Sequence, residues 1–159
     1  MTNNKDSDAL NTAVRWLAGK SYSVQELCHR LKKGGYTQED IDKIVNHLSK
    51  RGYLNDAALC DLLLNKYYVN GNYSLRGAVA RVKQRGIPDI YITAAVKRFD
   101  MDIADIDIEY IEYKHALRLV EKKLKHASDL SKVCRYLAAK GFTRATIVRV
   151  LTELQKIQK

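Results

Sequence analysis

The stretch RGYLNDAALC, residues 51–60, sets a glycine before an aromatic residue, then an Asn-Asp pair, then an apolar run. Three local structures can open this way: a loop that cradles phosphate, a turn between strands, or a stop between two helices. The same glycine-apolar pairing recurs as GGY at 34–36, RGI at 85–87 and KGF at 140–142. Whatever Gly52 does, Gly35, Gly86 and Gly141 are expected to do as well.

A phosphate loop needs several glycines between a strand and a helix, often with a Lys-Ser/Thr end, and the chain has no such element. A Schellman helix ending asks for something else: a left-handed glycine just past the helix, and an apolar residue after it that packs four residues before the glycine. That offset pairs Leu31 with Tyr36, Leu48 with Tyr53, Val82 with Ile87 and Leu137 with Phe142, all apolar. The glycines therefore read as helix stops, and Asn55 or Asp56 as the cap of the next helix.

Aligned on these glycines, the chain repeats itself. Ser23, Leu27, Leu31, Gly35, Tyr36, Thr37, Ile41, Val45 and Leu48 make a first copy. An offset of 51 maps them onto Ser74, Ala78, Val82, Gly86, Ile87, Pro88, Ile92, Val96 and Phe99. A further 55 reaches Asp129, Val133, Leu137, Gly141, Phe142, Thr143, Ile147, Leu151 and Leu154. Apolar positions three and four apart on both sides of each glycine are helical spacing. Upstream of each copy lies another helical stripe: Leu10, Ala13, Val14 and Leu17; Leu59, Leu62, Leu63 and Tyr67; Tyr113, Leu117, Val120 and Leu124. The last extends back through Tyr110 and Ile106, so that helix is expected to begin near Asp105. Capping boxes are expected at Ser23 with Glu26 and Thr37 with Asp40, and a helix start at Pro88.

The expected fold class is all-α, with three tandem three-helix, helix-turn-helix-like repeats in an elongated, bent array. The boundaries are a disordered tail over 1–8, a first repeat over 9–55, a second over 56–100, and an acidic helix start with the third repeat over 101–157.

The 159 residues are 46% hydrophobic and 29% charged, with a single proline, as in a globular protein. No apolar run approaches the roughly 20 residues of a membrane helix. The first residues, MTNNKDSDAL, lack the basic front and apolar middle of a signal peptide. A cytoplasmic protein is the expectation. Cys28, Cys60 and Cys134 stand far apart without a C-x-x-C pair, against a disulfide framework or structural zinc. Net charge is +10, although residues 100–112 hold six acids and no base. Segment 114–159 has twelve Lys or Arg against three acids. Such a balance suits an anionic partner.

No catalytic constellation, metal site or cofactor site is expected. Cys28 and His29 are helix neighbours about 100° apart and badly placed to share a proton. The aspartates at 100, 102, 105 and 107 lack the glycine and terminal glutamate of an EF-hand. Basic residues near equivalent helix ends are the better candidates for a partner. These are Arg30, Lys32 and Lys33 in the first copy, and Arg81, Lys83 and Arg85 in the second. The third has Arg118, Lys122, Lys123, Arg135 and Lys140, with Arg144 and Arg149 on the helix beyond. Tyr67, Tyr68, Tyr91 and Tyr110 could serve as interface anchors.

Several ordered pieces resemble the RecX family, bacterial proteins that modulate the RecA recombinase. In the first copy these are A9-L10 through W16-L17, S23-x2-E26-L27-x2-R30-L31-x4-Y36 and I41-x3-V45-x2-L48. G52-Y53-L54-N55-D56 is similar to a Gly-Tyr-Leu-Asp/Asn-Asp signature, although Leu59-Cys60 departs from the aromatic-small pair that usually follows. G71-x4-R76 with K83-x2-G86-I87 matches more loosely, and R135-Y136-L137-x3-G141-F142 is also similar. The resemblance runs from about residue 9 to 155. It implies a monomeric negative regulator that lies in the groove of the RecA–DNA filament. There it would block extension or promote disassembly, and so restrain ATP hydrolysis, strand exchange and coprotease activity. Direct single- or double-stranded DNA contact is a further implication, with no membrane. A helix-turn-helix DNA-binding protein is the alternative, for which Arg144 and Arg149 on the last helix are suitable.

Overall fold

The structure, a computed structural model, describes residues 3–101, 108–123 and 129–157. The fold is all-α, with no strand among the described residues. The helices are α1 (Asn3–Gly19), α2 (Val24–Lys33), α3 (Gln38–Lys50), α4 (Asp56–Leu64), α5 (Leu75–Gln84), α6 (Asp89–Met101), α7 (Ile108–Lys123), α8 (Leu130–Ala139) and α9 (Arg144–Ile157). A π-helical turn, Asn65–Val69, follows α4 directly.

The glycines stop helices as their spacing requires. Gly35, Gly52, Gly86 and Gly141 have φ of 82, 76, 72 and 86°, a region in which a β-carbon is strained. At the first, the Tyr36 and Gly35 amides donate to Leu31 O (3.3 Å) and Lys32 O (3.1 Å), the pair of bonds that defines a Schellman ending. Gly52 and Gly141 repeat it, with Tyr53 donating to Leu48 O (2.9 Å) and Phe142 to Leu137 O (3.2 Å). Ile87 and Phe142 are buried, as the pairing requires. Tyr53 is not: it is 60% exposed, and Leu54 takes the core position beside Leu48. The turn carries the chain one residue further before it points inward, and the Leu54 amide also donates to Leu48 O (3.3 Å).

Caps start the helices. Ser23 Oγ accepts the Glu26 amide (3.0 Å) while Glu26 accepts the Ser23 amide (3.1 Å). Thr37 and Asp40 make the same reciprocal box. Asn55 caps α4 through the Ala58 amide (2.9 Å), Asp129 caps α8, and Pro88 immediately precedes α6. At the chain start α1 begins at Asn3, within the stretch assigned to a tail. Once a helix is nucleated over its apolar-backed turns, adding polar residues at its end costs little.

Two of the upstream stripes are rotated from the expected ones. In α4 the buried apolar residues are Leu59, Cys60, Leu63 and Leu64, continued by Tyr68 in the π turn, while Leu62 is 56% exposed. In α7 they are Tyr113, Ala116, Leu119 and Val120, and Tyr110 is exposed. Leucine-rich helices leave two faces almost equally apolar, so spacing alone did not choose between them. The expected start near Asp105, Ile106 and the stripe's end at Leu124 lie outside the described residues.

The chain divides into two compact units, residues 1–62 with 82–95, and residues 63–81 with 96–159. In the first, α1, α2 and α3 pack around Ala9, Ala13, Leu27, Leu31, Ile41, Ile44, Leu48 and Leu54. In the second, α7, α8 and α9 pack around Tyr113, Ala116, Leu119, Val120, Val133, Leu137, Phe142, Ile147 and Val150. Burying each such Leu or Val contributes about 1.5–3 kcal/mol.

Each unit contains one junction between successive copies, and the two junctions are built alike. In the first, Ser23 Oγ donates to Arg85 O (2.5 Å) and the Asp56 carboxylate accepts the Val24 amide (3.0 Å). In the second, Ser74 donates to Lys140 O through its amide (3.0 Å) and hydroxyl (3.3 Å), and Glu112 accepts the Leu75 amide (3.0 Å). Ser74 and Leu75 are 51 residues beyond Ser23 and Val24, and Lys140 is 55 beyond Arg85. The start of each copy's second helix thus docks on the glycine turn that ends the same helix of the next copy. The second junction brings backbone against backbone: a β-carbon on Gly141 would lie 2.6 Å from Gly77 Cα and one on Gly77 2.2 Å from Lys140 O, whereas one on Gly86 in the first would meet the Gln25 side chain.

Candidate partner-binding surface

Two of the sequence-selected cations are committed to carboxylates. Arg85, half-buried, gives Nε and Nη2 to Glu26, the latter at 2.8 Å, and Nη2 also to Ser21 O (2.8 Å). Burial alone would raise the Glu26 carboxyl. The Arg85 and Ser23 hydrogen bonds, with the charges of Arg85 and Lys20, bring it below its usual value. Arg85 thus spans the first junction, a role that its place before a helix-ending glycine did not reveal. Lys83 pairs with Asp89 at 2.7 Å in an exposed contact, the kind that contributes about 1 kcal/mol or less.

Aromatic rings hold others. The Arg30 guanidinium lies 4.2 Å from the Trp16 ring centre and 5.5 Å from that of Tyr22, and it also donates to the Tyr22 hydroxyl. Arg81 lies 4.7 Å from the Tyr73 ring centre, where Lys140 also sits, at 4.4 Å. Tyr67 meets Tyr73 edge to face, and Lys140 is 5.6 Å from Tyr136. On α9, Arg149 stands 4.4 Å from Tyr113 and 5.8 Å from Tyr110. Such contacts contribute about 0.5–1 kcal/mol at exposed sites and restrict where the cation can go.

Lys32, Lys33, Arg118, Lys122, Lys123, Arg135 and Arg144 are exposed, and none pairs with a described carboxylate. Of the tyrosines considered as anchors, Tyr91 and Tyr110 are exposed and Tyr67 half-buried. Tyr68 is buried and stacks on His115 with ring centres 5.6 Å apart. Sequence reading passed over Trp16, Tyr22, Tyr73 and Tyr136. The signal for three of them was available, because the offset of 51 carries Trp16, Tyr22 and Arg30 onto Tyr67, Tyr73 and Arg81.

Little here resembles an active site. Among the described residues no group of His, Cys, Asp and Glu could hold a metal ion. Burial pushes the Cys28 thiol up, and the Asp42 charge adds to this, the opposite of what activates a thiolate. Burial pushes His115 down, as does Arg118, against a hydrogen bond to the Gly71 backbone. No described helix is long and apolar enough to cross a membrane.

These features define an all-α protein of repeated helix-turn-helix construction with a cation-rich surface. Comparison with known proteins narrows the class. Residues 9–48 match the family model described as RecX, first three-helix domain. The chain is 28% identical over 153 residues to Regulatory protein RecX of Legionella pneumophila (strain Corby), covering 92% of this chain and 95% of that protein. With its namesake from Chlorobaculum tepidum the identity is 34% over 103 residues, 63% of this chain and 62% of the other. The crystal structure of RecX from Lactobacillus salivarius has the same fold, with a TM-score of 0.70 over 94% of this chain and 96% of that one, at 18% identity. The chain is thus similar to RecX proteins along more than nine-tenths of its length.

Proposed function

We propose that this protein is a negative regulator of the RecA recombinase, acting from the groove of the RecA–DNA filament. Occupying the groove blocks extension or promotes disassembly, and so restrains ATP hydrolysis, strand exchange and coprotease activity. The observation that carries this reading is similarity to regulatory proteins named RecX along more than nine-tenths of the chain. The repeated junctions support it, since equivalent docking of successive copies suits a partner that itself repeats. In this reading the protein acts as a cytoplasmic monomer of three repeats, without cofactor or catalysis. Arg30, Lys32, Lys33, Arg81, Arg118, Lys122, Lys123, Arg135, Arg144 and Arg149 supply the cationic contacts.

The test is single-stranded-DNA-dependent ATP hydrolysis by RecA with substoichiometric amounts of the protein. Hydrolysis is expected to fall well below what sequestration of free DNA explains. An unchanged rate together with tight, sequence-specific duplex binding would instead establish a DNA-binding helix-turn-helix protein. One observation favours that alternative: α9 opens with exposed Arg144 and has no acid in its first turn, whereas α3 opens with Glu39 and Asp40.

A further inference from the structure

The sequence repeat explains more than the core. Apolar positions recur because each copy must bury the same helix faces. Trp16, Tyr22 and Arg30, however, are half-buried or exposed, and so are Tyr67, Tyr73 and Arg81, which stand 51 residues further on. In both sets the tyrosine directly precedes the serine that caps the next helix, and the arginine lies eight residues beyond that tyrosine. The geometry recurs with the spacing, since each arginine rests against the tyrosine of its own set. Neither pairs with a described carboxylate. The third copy breaks the pattern with Tyr136 at the arginine position.

An arginine held over a ring has lost much of its side-chain freedom before any partner arrives, while its fork, with five donors, keeps others for a partner. Two such groups at equivalent positions suit a partner that offers one anionic group twice. The aromatic face is already occupied by the cation, which disfavours base stacking as its use and so disfavours single-stranded nucleic acid. A carboxylate received edge-on by the guanidinium fork needs no ring face.

We propose that Arg30 and Arg81 are equivalent anchors, each clamping an acidic side chain at the same position on two different subunits of a protein filament. This rests on the filament reading above and assigns its contacts to protein carboxylates rather than DNA phosphates. Trp16 with Tyr22, and Tyr67 with Tyr73, are positioning residues for them.

The experiment measures binding of labelled protein to RecA filaments on single-stranded DNA, and separately to the bare DNA, at one salt concentration. R30A and R81A are each expected to weaken filament binding about tenfold, the loss of one charge-assisted fork, and the double variant about a hundredfold. DNA binding stays within about twofold, in keeping with a protein-directed contact. R30K and R81K preserve charge and fold but lack the fork, and each should still lose a few-fold. Filament binding by the single variants and the Lys variants that equals wild type overturns the anchors while leaving the filament reading intact. Equal losses on bare DNA overturn them in favour of phosphate contacts. Wild-type protein that fails to bind filaments overturns both readings together.

Discussion

Gly52 and Gly141 both end a helix in the left-handed conformation, yet a methyl group would cost them differently. At Gly52 an added β-carbon meets nothing within 4 Å, so G52A should lose only the left-handed penalty, roughly 1–2 kcal/mol. At Gly141 it would stand 2.6 Å from Gly77 Cα, a backbone atom that cannot swing aside. G141A should therefore lose about 3 kcal/mol or more, the penalty plus overpacking. Urea denaturation of both variants checks the ranking, and equal losses would mean that the second junction yields. Asp56 provides a second residue-scale expectation. Burial raises its carboxyl above 3.8 despite the Val24 amide, and the Glu26 charge raises it further. The native state then holds the proton more firmly than the unfolded chain, so this group's contribution falls as pH rises through the window above 3.8. D56N keeps an acceptor for the Val24 amide without the buried charge, and at pH 7 it should be at least as stable as wild type. D56A strands that amide and should lose about 1–3 kcal/mol.

At the scale of elements, the parts legible in the sequence are those written locally. Schellman glycines, capping boxes and the pairing of Leu137 with Phe142 involve residues within six of one another, and all can be read from spacing. Partners some sixty residues apart could not be. Nothing near Arg85 announces Glu26, and only the fold shows that the Lys140 carbonyl receives Ser74. The rotated stripes of α4 and α7 were illegible for another reason: at Leu62–Leu63–Leu64 and Leu117–Leu119 the sequence offers an apolar residue to either face. The π turn after α4 is tied to α7 by His115, which stacks on Tyr68 and bonds the Gly71 backbone. Its Nε2 is buried without a partner. With the imidazole held below its ordinary 6.5, the unfolded chain takes up the proton first, so stability is lost as pH falls through 6.5. Thermal denaturation of wild type and H115Q from pH 7.5 downward should show that slope in the wild type and its weakening in the variant. Parallel curves would assign the acid sensitivity elsewhere.

For the whole molecule, the uneven charge is the property that a filament partner would meet first. The +10 balance coexists with carboxylates that serve the fold: Glu26 on Arg85, and Asp56 and Glu112 on backbone amides. Lys122, Lys123, Arg135 and Arg144 have no such service, being exposed and unpaired with any described carboxylate. Removing them together should therefore leave the fold alone and change only association. The variant with all four changed to Gln is expected to retain wild-type helicity and thermal midpoint, since exposed substitutions away from caps and cores shift stability by about 0.5 kcal/mol or less each. Its binding to RecA filaments should weaken, and the dependence of affinity on salt should become shallower, because fewer counterions are displaced when fewer cations reach an anionic surface. R85A should do the reverse. Breaking the half-buried pair leaves Glu26 uncompensated at the first junction, so the melting temperature falls before any change in salt dependence is seen. Titrations at several salt concentrations, beside melting curves for both variants, separate the two roles. A shallower salt slope for R85A at unchanged stability would return Arg85 to the binding surface.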